Sequence, residues 1–305
     1  MKPLLLCSAA IYLSASIGYA DSFSIRGGIS SGFNTDFIYS QDDNTGQEYL
    51  ADYGLGAMTT LTYTLDQGLW GHPVEFGFQL GLLHGNTDIV TPPTSCGIST
   101  YLGLIYDCQD SAGVTNNTLF AEGSALLSFG SGKTEYLAGI GALHVRNDLN
   151  AEYLYPTGAE NFVQRDTRFT GAGLKVGARR EFAMNNGGRF QLEGFLGAYR
   201  GSRSMGIHDV EILTGGGGAV SRDQTANYDE TITAYSLEIS PSLVYNAPWV
   251  GNGATFEVGL SYKRLFNVVD TRNVVYHYDP AFSRGNLNDD ISYTTVFVGL
   301  SIPLK

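Results

Sequence analysis

The feature that most constrains this chain is its last stretch, residues 292–304, Ser-Tyr-Thr-Thr-Val-Phe-Val-Gly-Leu-Ser-Ile-Pro-Leu. Val296, Val298, Leu300, Ile302 and Leu304 occupy alternate positions, so a strand places all five on one face. Tyr293, Thr295, Phe297, Gly299 and Ser301 take the other face, a mix of aromatic and small polar groups. A strand this apolar has an open edge that must pair somewhere. Pairing with the first strand of the chain closes the sheet, and closure is what lets β-structure sit in lipid.

The same alternation recurs upstream. Phe23, Ile25, Gly27 and Ile29 share one face, as do Tyr53, Leu55, Ala57, Thr59, Leu61, Tyr63 and Leu65. Val74, Phe76, Phe78, Leu80 and Leu82 repeat it, with Glu75 and Gln79 between them. Further runs begin near Leu119, Tyr136, Phe169, Arg189, Thr231 and Thr255. With the closing segment these make about ten strands, an even number as antiparallel closure requires. The connections alternate in length. Residues 66–73, 130–134, 184–188 and 246–254 are short; 34–52, 85–117, 147–168, 201–230 and 269–290 are long. Short periplasmic turns and long outer loops are the asymmetry of bacterial outer-membrane barrels. The expected fold is therefore all-β, a closed antiparallel transmembrane barrel of about ten strands with long extracellular loops. The count becomes twelve if the segment between Cys96 and Cys108 adds a hairpin.

The N-terminus points to the same address. Lys2 supplies a positive start, Leu4 to Ile17 is apolar without an acid, and Gly18-Tyr19-Ala20 offers small residues for cleavage. Residues 1–20 are expected to be a signal peptide and 21–305 the outer-membrane barrel. The apolar run is too short to span a membrane comfortably as a helix. Composition agrees: 39 glycines suit places where strands crowd, 19 tyrosines suit membrane interfaces, and 43 % hydrophobic residues are enough for one apolar face. With 18 Lys+Arg against 30 Asp+Glu the net charge is −12, which argues against nucleic acid as a partner. The expected partners are outer-membrane lipid, lipopolysaccharide and the barrel-assembly machinery, and a homo-oligomer stays open. Arg146, Arg168, Arg200 and Arg264 lie at outer strand ends, where guanidinium groups can meet lipid phosphates.

Cys96 and Cys108 share the second long loop, and secretion makes a disulfide between them the expected state. No second Cys or His pair stands near them, so no metal site is expected. No cofactor is expected. His72, His84, His144, His208 and His277 are scattered, and His208-Asp209 is the one adjacent pair with acid–base character. The Gly215–Gly218 run does not join a strand to a helix, so loop flexibility explains it better than a phosphate cradle. Ten strands with outer-loop His and Asp residues resemble the omptin surface proteases. Their tryptophan-rich, paired-aspartate loop has no counterpart here, since Trp70 and Trp249 lie near short turns. Catalysis is not expected.

Placing each apolar face against lipid leaves the opposite face inside. That face carries Glu75, Glu122, Glu193, Glu238 and Glu257 with Arg26, Lys175, Arg179 and Lys263. Gln79 and Gln191 join them. Unpaired charges in a narrow lumen are costly, so these groups are expected to pair across it or to line a water-filled pore.

The run Phe169-Thr-Gly-Ala-Gly-Leu-Lys-Val-Gly-Ala-Arg-Arg180, its turn, and Phe190 to Gly201 resemble paired strands of Legionella-type major outer membrane proteins. Val258-Gly-Leu-Ser-Tyr-Lys-Arg-Leu-Phe-Asn-Val268 is similar in the same way. The resemblance implies a pore-forming protein. The expected function is thus porin-like passage of small polar solutes or ions. The alternatives are a closed barrel acting through its loops as adhesin or structural protein, and, behind it, a surface hydrolase.

Overall fold

The computed structural model describes residues 22–41, 48–66, 68–90, 99–100, 111–130, 133–154, 158, 160–185, 187–213, 219–270 and 288–304. The expected signal peptide, Cys96 and Cys108, the Gly215–Gly218 run and His277 lie outside them.

In chain order the strands are β1 (Ser22–Gly32), β2 (Asn34–Gln41), β3 (Glu48–Asp52), β4 (Leu55–Leu65), β5 (Val74–Val90), β6 (Ser99–Thr100) and β7 (Ser111–Phe129). Then come β8 (Thr134–Leu154), β9 (Glu160–Ala183), β10 (Arg189–Leu213), β11 (Ala219–Asn246), β12 (Thr255–Asp270) and β13 (Asn288–Pro303). Ten of them form one closed antiparallel barrel in the order β1-β13-β12-β11-β10-β9-β8-β7-β5-β4. Closure is made by β1, whose Ser22 faces both Pro303 of β13 and Thr64 of β4. The last stretch of the sequence thus meets the first strand, and no open edge remains in the barrel. β2, β3 and β6 form a separate three-stranded sheet. No helix among the described residues is long and apolar enough to cross a membrane.

The period-2 pattern sorts side chains as the alternation predicts. On β5, Phe76, Phe78, Leu80 and Leu82 are exposed on the outer face, while Gln79 and Leu83 are buried inside. Around the wall Ile140, Leu174, Leu196, Leu260, Val296 and Val298 continue a belt of exposed large apolar side chains. Such an area is far larger than a water-facing monomer normally leaves uncovered.

Two expectations need correction. Most of what reads as long loops is strand: β9, β10 and β11 run for 24, 25 and 28 residues. At about 3.3 Å per residue these reach roughly 80–90 Å, against about ten residues for a membrane crossing. Polar residues hide this extension from a search for apolar alternation, because a wall outside lipid needs no apolar outer face. Tyr53 is the second correction. It belongs by count to the outer face of the run through Leu65, yet it is buried in the lumen. Gly54 intervenes at φ 66 and accepts the Gly32 amide at 2.6 Å, so the alternation restarts after it.

Candidate functional site

The structure gathers all nine lumen charges expected from the sequence into one column inside the barrel. At the short-turn end, Arg26 of β1 donates to Glu193 of β10 at 2.6 Å and to Glu257 of β12 at 2.8 Å. Arg179 of β9 donates to the other oxygen of Glu193 at 2.6 Å, and to Glu75 and Glu135 at 3.0 Å each. Gln191 adds a third donor to Glu193 at 2.8 Å. One carboxylate is thus held by two guanidinium groups from different strands. Around them opens a vestibule of about 390 Å³, lined also by Ser24, Thr62 and Thr255.

Deeper in, the charges close up. Glu122 of β7 accepts from Lys175 at 2.5 Å, from Lys263 of β12, and from the Tyr199 hydroxyl at 2.8 Å. Lys263 also donates to Gln79 and lies 3.4 Å from Glu238. Glu238 in turn accepts from Ser261 at 3.2 Å and from Gln79 at 3.4 Å. The Lys263 side chain is 1 % exposed and that of Glu122 2 %. Charges so withdrawn from water are tolerated only with dense pairing, which this layer supplies.

Above the ionic layer the lumen is apolar. The Phe120 and Tyr293 rings stack at 5.0 Å between centroids. Phe169, Tyr199, Leu143, Val145, Leu265 and Ile291 pack into the same buried cluster. Gly81 makes room for Phe120, since a Cβ on it would stand 1.9 Å from the ring. Higher still, Asn147 bridges Asn116 at 2.6 Å and Thr118 at 2.8 Å. Arg203 pairs with Glu230 and Asp270, and donates to the carbonyls of Val269 at 2.8 Å and Asn267 at 3.3 Å. Those carbonyls belong to a bulge in β12, where Asn267 adopts φ 62 and Val268 and Val269 both turn inward. The lumen is therefore filled from Glu122 upward.

Sequence reasoning missed three parts of this column. Glu135 was passed over because it starts its strand, beside the turn. Phe120, Phe169 and Tyr199 share parity with lumen charges on their own strands, and the signal for them was available: Phe120 stands two residues from Glu122. The Arg203 cluster lies in what was read as loop.

The adjacent His208 and Asp209 are separated by the wall. His208 faces outward and pairs with Asp223 at 2.8 Å, whereas Asp209 is buried inside and accepts from Asn161 at 2.6 Å. Arg146 and Arg168 are also on the outer face. Arg146 contacts Asp148 at 3.0 Å and Asp166 at 3.3 Å, and Arg168 contacts Asp166 at 2.6 Å.

No family model matches the chain, and no curated protein does. Among solved structures it is similar to the outer membrane protease OmpT from Escherichia coli. The two are 12 % identical with a TM-score of 0.53, over 94 % of this chain and 97 % of that one. The toluene transporter TodX of P. putida matches at 12 % identity and TM-score 0.37, covering 96 % of this chain and 92 % of its own. The beta domain of the Bordetella autotransporter Brka matches at 12 % and 0.33, covering 92 % and 98 %. At such identities the OmpT likeness is one of fold, and it agrees with the ten-strand closed barrel described above.

Proposed function

We propose that this protein is a bacterial outer-membrane barrel that is shut at rest and serves as an anchor for the wall it raises beyond the membrane. The belt of exposed apolar side chains takes the lipid, the short turns face the periplasm and the long strands project outside. The observation that carries the reading is the filled lumen. Lys263, Glu122, Phe120, Phe169, Tyr199 and Tyr293 are all at most 2 % exposed, which is what packing across the lumen at their level requires. Adhesion or a structural role through the projecting surface follows from that closure.

A second reading is porin-like passage of small polar solutes or ions through a gate. The charged vestibule of about 390 Å³ favours it, as does the sharing of Glu193 by two arginines and of Glu122 by two lysines. A carboxylate with two cationic partners can release one and keep the other. The resemblance to Legionella-type major outer membrane proteins supports the same reading. A surface hydrolase gains least, because His208 and Asp209 do not share a side of the wall.

Single-channel recording of the refolded chain in a planar bilayer separates them. Silence from folded, inserted protein supports the shut anchor. Reproducible steps of fixed size overturn it in favour of the gated pore, and ion selectivity altered by Arg179→Glu then identifies the vestibule as the path.

A further inference from the structure

The outer wall over β5, β7 and β8 carries three chemistries stacked in order. Lowest is an apolar recess of about 350 Å³ where Leu55 and Leu82 are exposed beside Leu119. At its upper lip stand His84, Arg146 and Asp148. His84 is held by Asn117 through Nδ1 at 2.6 Å, and among the described residues its Nε2 is uncommitted. Arg146 spends Nε and Nη2 on Asp148 and Asp166, and among the described residues Nη1 keeps its donors.

The next step up each strand leads to a second recess, of about 490 Å³. Asn86, Thr115, Asn150 and Gln164 bring amides and a hydroxyl to it, and Phe162 lines it alongside. Asp88 and Glu152 are there too with no arginine or lysine among the lining residues, which makes this level, unlike the one at Arg146, hostile to phosphate but receptive to hydroxyl donors. Acyl chain, phosphate and sugar follow one another in this same order in lipopolysaccharide, from membrane interior to outside.

We infer that this face of the barrel is a binding site for one lipopolysaccharide molecule: an acyl chain lies in the Leu55–Leu82 recess, a phosphate at Arg146, and core sugars on the amide-lined recess. The site rests on the outer-membrane reading, because only that reading sets the lower recess in lipid and the upper one outside it. It assigns a role to the outward-facing polar groups that the lumen column leaves unused.

Native mass spectrometry of the refolded chain tests this, with rough lipopolysaccharide bearing core sugars, lipid A and phosphatidylglycerol as probes. One rough lipopolysaccharide is expected to stay bound under conditions that strip phosphatidylglycerol. Arg146→Ala should weaken both lipopolysaccharide and lipid A by about ten-fold, the size of one lost charged hydrogen bond. The double variant Asn150→Ala, Gln164→Ala should weaken the core-bearing form and leave lipid A unchanged. Equal retention of phosphatidylglycerol and lipid A, or no effect of Arg146→Ala, overturns the site. Heat-modifiable migration on SDS gels verifies that each variant is folded, and these outer-face changes leave the lumen column intact. A chain that inserts into bilayers and ignores lipopolysaccharide refutes the site alone, whereas one that does not insert refutes the membrane reading.

Discussion

Lys263 of β12 and Glu122 of β7 meet across the full diameter of the barrel, five strands apart whichever way the wall is followed. Their contact fixes the distance between opposite walls. Removing Lys263 leaves two lumen carboxylates, Glu122 and Glu238, with Lys175 as their remaining lysine neighbour, so Lys263→Met is expected to destabilise the barrel by about 3–5 kcal/mol. Adding Glu122→Gln should recover part of that loss. Urea unfolding from vesicles, followed by circular dichroism, gives both values, and strictly additive losses would refute the coupling.

Gly81 lies against the far end of the Phe120 ring. Gly81→Val must push the ring out of its stack with Tyr293, and overpacking of this kind costs about 1–3 kcal/mol. Gly27, whose Cβ direction is empty, should accept alanine with no comparable effect. The same unfolding assay compares the two.

The belt makes a prediction that no water-soluble barrel shares. Leu174 is 68 % exposed and sits among apolar neighbours on the outer face of β9. In lipid, Leu174→Arg should cost about 2–4 kcal/mol near the bilayer midplane. In water the same change would be nearly neutral. Folding yield into vesicles measures the difference, and wild-type yield for the variant argues against a lipid-facing belt.

The split between His208 and Asp209 separates structural from surface roles. Asp209→Ala leaves the buried Asn161 amide without its 2.6 Å partner and should destabilise by about 1–3 kcal/mol. His208→Ala disturbs only an exposed pair and should leave stability within error. A destabilisation order reversed between the two variants would mean that the inward and outward assignments are wrong.

Much of this architecture was legible beforehand. The closing strand announced itself because five apolar residues at alternate positions fit only a strand with one apolar face. The charges inside were found the same way, as the polar residues opposite that face. The projecting walls were not, since beyond the lipid the outer face turns polar and the inner face mixes Leu149, Tyr153 and Ile207 with Asn147, Asn161 and Arg165, so the alternation fades. Tyr53 was misplaced because one residue with positive φ, Gly54, resets a count that assumes unbroken alternation.

By itself the sequence determined the class of fold, a count of about ten strands and the direction of most side chains within each strand, because a period of two is a local property of the backbone. Whether those inward side chains leave a passage was decided only in three dimensions. Arg26, Arg179 and Glu193 come from three strands, and so do Lys175, Lys263 and Glu122, with widest separations of 167 and 141 residues. Their meeting depends on the radius at which the sheet closes and on the Phe120–Tyr293 stack above them. Neither is encoded in any one segment; both arise when ten segments share one lumen.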